Sequence, residues 1–221
     1  MKDYQRAFIN FLIETGALRF GEFTLKSGRT SPHFFNSAQF NSGSSLATLA
    51  GFYAQHLIAS LGRDCRTVFG PAYKGIPLAV ATAIHLAEHH HYPIGYTFNR
   101  KEAKAHGDGG IMVGQPLQEG LPLVIVEDVI TAGTTLKEIV PLLRDQYRVD
   151  IRGVIISLDR CEKGGDSGCS ARTEAERELN ITVLPLVTIH DVIEHIESAP
   201  ELQSLRTHIP AIREYLKTYG A

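Results

Sequence analysis

Cysteine is scarce in this chain. Among 221 residues only Cys65, Cys161 and Cys169 carry a thiol, an odd, sparse set that argues against a disulfide framework and for a reducing, cytoplasmic setting. Cys161 and Cys169 lie in one loop and read as reduced thiols. An excess of one charge is also lacking. The net charge is −2 and no polybasic tract occurs, so neither a nucleic-acid partner nor a membrane surface is indicated. No apolar run reaches bilayer length. The opening Met1 to Arg6 leads into an amphipathic segment, unlike the uniformly apolar core of a secretion signal. Neither Gly-x-x-x-x-Gly-Lys-Ser/Thr nor Gly-x-Gly-x-x-Gly occurs, which disfavours a P-loop and a Rossmann dinucleotide site. No internal repeat or low-complexity linker divides the chain. Its length fits a single domain, residues 1–221, with a sizeable core.

What is present is an alternation of strands and helices. Phe8, Phe11 and Leu12 at helical spacing predict a helix over 3–14, and Gly16 offers its stop. From about 17 to 40, apolar residues sit among Gly21, Gly28 and Pro32, which predicts short strands and turns forming a small hood. A helix over 42–61 follows. Strands are expected at 67–69, 94–98, 123–126, 154–158 and 181–187. Helices are expected at 76–89, from Leu136 onward with a kink at Pro141, at 172–179, at 190–197 and at 201–219. Residues 99–114 and 161–171 read as polar, glycine-bearing loops. The pattern is that of an α/β domain with a mainly parallel central sheet, whose ligands bind at the carboxyl ends of the strands.

One stretch, Leu121 to Thr135, carries the clearest chemistry. An apolar strand ends at Glu127 and Asp128, and Val129, Ile130, Thr131, Ala132, Gly133, Thr134 and Thr135 lead into a helix. Unpaired backbone N–H groups at a helix start favour an anion, and threonine hydroxyls add donors. Two carboxylates repel a phosphate but suit sugar hydroxyls or a divalent cation. The stretch predicts a ligand with a phosphate at one end and a polyol or metal beside it. Gly70-Pro-Ala-Tyr-Lys-Gly75, with Tyr73 and Lys74, forms a tight turn suited to a further phosphate, or else an ordinary turn with a solvated lysine. Arg100, Lys101, Lys104 and His106 precede Gly107, Gly109 and Gly110 and suit a lid closing on a polyanion, with a solvated surface loop as the competing reading. Adjacent Phe34 and Phe35 can wall a flat ring, and Lys26 lies with them in the hood; taken alone, the core of a small subdomain explains the aromatics better. Arg160, after Asp159, suits a substrate carboxylate, with an ion pair to Asp159 as the competing reading. His85, His89, His90 and His91 end a helix without a completing ligand set and read as solvated.

Val124-Ile-Val-Glu-Asp-Val-Ile-Thr-Ala-Gly-Thr-Thr135 resembles the phosphoribosyl-pyrophosphate (PRPP) motif of the type I phosphoribosyltransferases. Four further stretches join it: Phe20 to Arg29 with Ser31 to Asn36, Phe69 to Pro77, Phe98 to Lys104 with His106 to Gly110, and Ile156 to Arg160. Together they resemble the orotate phosphoribosyltransferase family in its bacterial or fungal form, over nearly the whole chain. The resemblance implies the type I phosphoribosyltransferase fold, with a flexible catalytic loop and a homodimer whose sites are shared between subunits. It implies that Glu127 and Asp128 hold ribose hydroxyls, that Thr131 to Thr135 cradle the 5′-phosphate, and that Val129 and Ile130 also line the PRPP site. Tyr73 and Lys74 would meet the pyrophosphate, and Lys26 would contact PRPP near the reacting centre. Arg100, Lys101, Lys104 and His106 would form the catalytic lid. Phe34, Phe35, Thr131 and Arg160 would bind orotate. Mg²⁺ would arrive mainly through PRPP oxygens.

The implied reaction transfers phosphoribose from PRPP to orotate, giving orotidine 5′-phosphate and pyrophosphate in pyrimidine synthesis. Two other readings stay open on sequence: a transferase for another nucleobase, and a PRPP-binding regulatory protein. Glu127 where aspartate is common, Pro141 in the motif's helix, and the glycine-rich 161–171 loop depart from the family pattern.

Overall fold

The computed structural model describes every residue except 26–27, 105–109, 132 and 165–167, and the side chains of 103 and 104. Lys26, His106, Ala132 and the Lys104 side chain therefore lie outside the described residues. A six-stranded sheet runs in the order β5-β4-β3-β6-β7-β8. Its strands are β3 (Thr67–Gly70), β4 (Gly95–Lys104), β5 (Gly110–Gly114), β6 (Pro122–Glu127), β7 (Asp150–Asp159) and β8 (Val183–Thr188). All neighbours are parallel except β4 and β5. The expected α/β arrangement, a mainly parallel sheet flanked by helices, is thus present.

The central strands are apolar at consecutive positions because both faces are covered. In β6, Val124 and Val126 join one core cluster, while Leu123 and Ile125 join the other. The first cluster lies under α1 (Asp3–Glu14), α2 (Gly43–Leu61), α3 (Gly75–His90), α6 (Ile189–Ser198) and α7 (Ile209–Tyr219). The second lies under α4 (Thr134–Pro141) and α5 (Ala171–Leu179). On α3, His85 packs so close to α2 that a Cβ on Gly51 would lie 2.9 Å from its ring. That gives His85 a packing role.

The strand-and-turn segment after α1 is an antiparallel ribbon of β1 (Leu18–Thr24) and β2 (Thr30–Phe35). Leu18, Phe20 and Phe35 pack against the first cluster.

Three expectations need correction. Residues 99–114 are not simply a loop: β4 continues to Lys104, and β5 returns antiparallel from Gly110. Strand pairing satisfies the backbone while the polar side chains stay on an exposed edge. The expected kink at Pro141 is instead a change of winding, with a π-helical turn over Leu142–Gln146. Proline lacks the N–H that regular α winding needs there. The final helix does not begin at Glu201. Pro200–His208 is 3₁₀, and α7 starts at Ile209 with Pro210 in its first turn, where a missing N–H is tolerated. Among the described residues, no helix is long and apolar enough to cross a membrane.

Candidate active site

The carboxyl ends of β3 and β6 open into a cavity of about 320 Å³. Its lining includes Tyr73, Lys74, Glu127, Asp128, Thr131 and Gly133 through Thr135, so two sequence stretches more than fifty residues apart share one space. Backbone packing fixes the β3 turn. A Cβ on Gly70 would sit 2.0 Å from the Gly75 carbonyl oxygen, an approach only glycine permits. The Ala72 N–H donates to the Asn99 side chain at 3.0 Å, tying the turn to the base of the β4–β5 hairpin. On the β6 side, Gly133 has φ +68° and precedes α4. It has no side chain to cap the helix, whose first amides lack intrahelical partners. Val129 and Ile130 complete the wall, and Thr131, Thr134 and Thr135 stand exposed at the rim.

The acidic pair is asymmetric. Glu127 is buried, and its Oε1 accepts the Asp128 N–H at 3.1 Å. Burial, and next the charge of Asp128, push its pKa up to about 7. Asp128 is half-buried and fully engaged. Its Oδ1 accepts the Val129 N–H at 2.8 Å, and its Oδ2 receives Lys74 Nζ at 2.8 Å and the Ser37 hydroxyl. Lys74 also donates to Ser37 Oγ at 3.1 Å. Below them, the Tyr53 hydroxyl donates to the Glu127 carbonyl at 2.7 Å and shares a hydrogen bond with Ser157.

The lid residues are brought partly together. Lys101 Nζ lies 4.9 Å from the Tyr73 ring centroid, which carries the hairpin over the β3 turn. Arg100 donates to the Gly110 carbonyl at 3.0 Å, across the hairpin.

The hood pair needs revision. Phe34 and Phe35 occupy successive strand positions and face opposite sides. Phe34 stacks on Phe23, with Arg19 over both rings, while Phe35 joins the core. The two rings therefore form no common wall. Arg160 does not pair with Asp159. Its Nη2 lies 3.5 Å from Glu162, and Asp159 instead faces Arg172 at 3.7 Å.

Residues 37–170 match the family model described as the phosphoribosyl transferase domain. The orotate phosphoribosyltransferase of Pseudomonas fluorescens (strain SBW25) is 50% identical over 220 residues, covering both chains completely. That of Stutzerimonas stutzeri (strain A1501) is 51% identical over 221 residues, also complete on both sides. The chain belongs to the orotate phosphoribosyltransferase family. The crystal structure of the Francisella tularensis orotate phosphoribosyltransferase superimposes with a TM-score of 0.85 at 39% identity, over 97% of this chain and all of that one.

Within this family member, sequence reasoning missed Ser37, Asn99 and Glu162. Ser37 adjoins one quoted motif and Asn99 lies inside another, but an isolated polar residue in a strand or short 3₁₀ turn gives no periodic signal. Glu162 follows Arg160 by two positions, and only its burial distinguishes it from a solvated acid.

Proposed function

We propose that this chain's cavity binds PRPP and that the hood presents orotate to it. The chain is a pentosyltransferase, an orotate phosphoribosyltransferase, transferring the 5-phosphoribosyl group to orotate to give orotidine 5′-phosphate and pyrophosphate for UMP synthesis. The observation carrying the site reading is the cavity that joins a lysine-bearing glycine turn, two carboxylates and an uncapped helix start.

In this reading the α4 amides with Thr131, Ala132, Gly133, Thr134 and Thr135 hold the 5′-phosphate. Glu127 and Asp128 accept ribose hydroxyls. Tyr73 and Lys74 meet the pyrophosphate, which requires Lys74 to leave Asp128 for the anion. Lys26 joins them from the hood. As the anomeric bond breaks, positive charge grows on ribose and negative charge on the leaving pyrophosphate. Arg100, Lys101, Lys104 and His106 neutralise the second charge, and Lys104 or His106 can donate a proton to it. Arg160 and Thr131 hold orotate beside Phe34 and the backbone of Phe35.

The donor set suits Mg²⁺. Two adjacent carboxylates at the cavity mouth match a hard cation that takes one or two protein oxygens and the remainder from substrate phosphates. Bound there beside Glu127 or Asp128, Mg²⁺ would supply charge neutralisation of the diphosphate.

We further infer a cytoplasmic homodimer in which each lid reaches its neighbour's site, with residues 1–221 acting as one domain. The exposed Ile84 and Tyr96 side chains support an apolar contact surface; light scattering that reads a monomer at working concentration counts against it. Loss of orotate absorbance on adding PRPP and Mg²⁺ tests the activity. Turnover of a purine instead of orotate, or PRPP binding with no pyrophosphate released, overturns the reading.

A further inference from the structure

Glu162 is a buried acid that the reaction as described leaves unused. Its side chain is 4% exposed, and neither carboxylate oxygen finds a hydrogen bond among the described residues. Two basic groups lie within 4 Å of it, and Tyr215 is near enough to feel its charge. Arg160 Nη2 lies 3.5 Å from Oε2, and His33 Nε2 lies 3.6 Å from Oε1. Burial, and after it the charge of Arg160, lowers the His33 pKa to about 4. His33 is therefore neutral near pH 7, and Arg160 supplies the positive charge that a buried carboxylate requires.

Arg160 is more open, with 23% of its side chain exposed. A guanidinium carries five N–H donors in a rigid planar fork, so separate edges can serve two carboxylates. The backbone around the pair is fixed. Glu162 bridges Gly220, the Lys163 N–H donates to the Tyr219 carbonyl at 2.8 Å, and the Ala221 N–H donates to the Cys161 carbonyl at 3.0 Å. His33 sits on β2 next to Phe34, which sets the acid–arginine pair against the hood strand.

We propose that Glu162 is the positioning residue for Arg160, holding one side of the guanidinium so that its exposed edge stands ready for the carboxylate of the acceptor base. The inference rests on the orotate reading above. A long arginine without such a hold keeps its rotamer freedom and loses it only on binding, which weakens the encounter. Preference for a carboxylate-bearing acceptor then resides in the pair and not in Arg160 alone.

Glu162→Gln keeps the shape and removes the charge. In the full-length protein, KM for orotate should rise roughly tenfold, equivalent to about 1.4 kcal/mol, while KM for PRPP stays within about twofold. Turnover of uracil, the same ring without the carboxylate, should be unaffected, so the orotate-to-uracil preference falls by the same factor. Glu162→Asp, which keeps the charge, should recover part of the loss. A purely structural role predicts equal losses on orotate, uracil and PRPP, and that pattern overturns the proposal, as does an unchanged KM for orotate. If Glu162→Gln does not fold, Glu162→Asp decides by the same comparison: a loss confined to orotate supports positioning, and a uniform or absent one refutes it. Wild-type protein inactive on orotate sinks the underlying reading; wild-type activity with an unaltered variant preference sinks the positioning role alone.

Discussion

Asp128 and Glu162 are both acids set against a cation, yet their surroundings differ. Asp128 accepts from Val129, Lys74 and Ser37, and its lysine partner is 66% exposed. Glu162 is buried beside Arg160, and its carboxylate makes no hydrogen bond among the described residues. An ion pair with an exposed partner contributes at most about 1 kcal/mol and exchanges readily for a ligand. Breaking a buried pair by removing one member costs about 3–5 kcal/mol. On the proposed reading, the donor side is thus built from contacts that a substrate can replace, and the acceptor side from one that it cannot. That suits their tasks. A polyanion brings its own charge and needs cations to turn toward it, whereas a flat ring with a single carboxylate needs a cation already in place.

The proposed lid tests this contrast most strongly, because its cations would act on charge that appears only during reaction. Lys104→Ala should lower kcat by roughly a hundredfold or more while PRPP affinity changes little; steady-state kinetics with unchanged turnover would remove the lid from the chemistry. The donor turn comes next. Gly70→Ala places a Cβ against the Gly75 carbonyl and should cost about 1–3 kcal/mol of stability through overpacking, read as a fall in Tm together with lost stabilisation by PRPP. A variant that keeps both would show that the turn is not rigid.

Glu127 offers a pH test of the replaceable side. Its pKa is raised by burial and by Asp128 to about 7, from an ordinary 4.5, so the folded state holds a proton that the unfolded state releases. Its contribution to stability is fully present below about pH 4.5 and is lost as pH rises through about 7. Urea unfolding of Glu127→Gln should lack that decline. The smallest effect is expected from Ser37→Ala, which removes a hydroxyl linking the hood to Lys74 and Asp128. KM for PRPP should change by about two- to tenfold, the range of one hydrogen bond, with KM for orotate unchanged. Equal shifts in both would mean that Ser37 couples the two sides, and the contrast between them would fail.

The donor side was more legible in the sequence because it is local. A strand end, a glycine at a helix start and threonines are contiguous in 127–135, and strand and helix periods flank them. The central strands were legible too, since apolar residues at consecutive positions require cover on both faces. The acceptor side was not. Phe34 and Phe35 look like a pair in one dimension, but strand alternation sends one ring to Phe23 and the other to the core. An ion pair with Asp159 was the competing reading for Arg160, but that place falls to the buried Glu162. Residues 99–104 read as loop because they are polar, and 110–114 because the apolar Ile111 to Val113 is short and flanked by glycines; the order of this edge hairpin comes from pairing.

The sequence by itself determined the α/β alternation, the phosphoribosyltransferase motif and the cation cluster at 100–106, because each depends on residue types at short spacing. The tertiary structure decided which acid meets which cation. It placed Lys74 on Asp128, Ser37 between them, and Glu162 against Arg160 and His33. Those pairings depend on burial and on distances between elements far apart in the chain, and local spacing does not encode either.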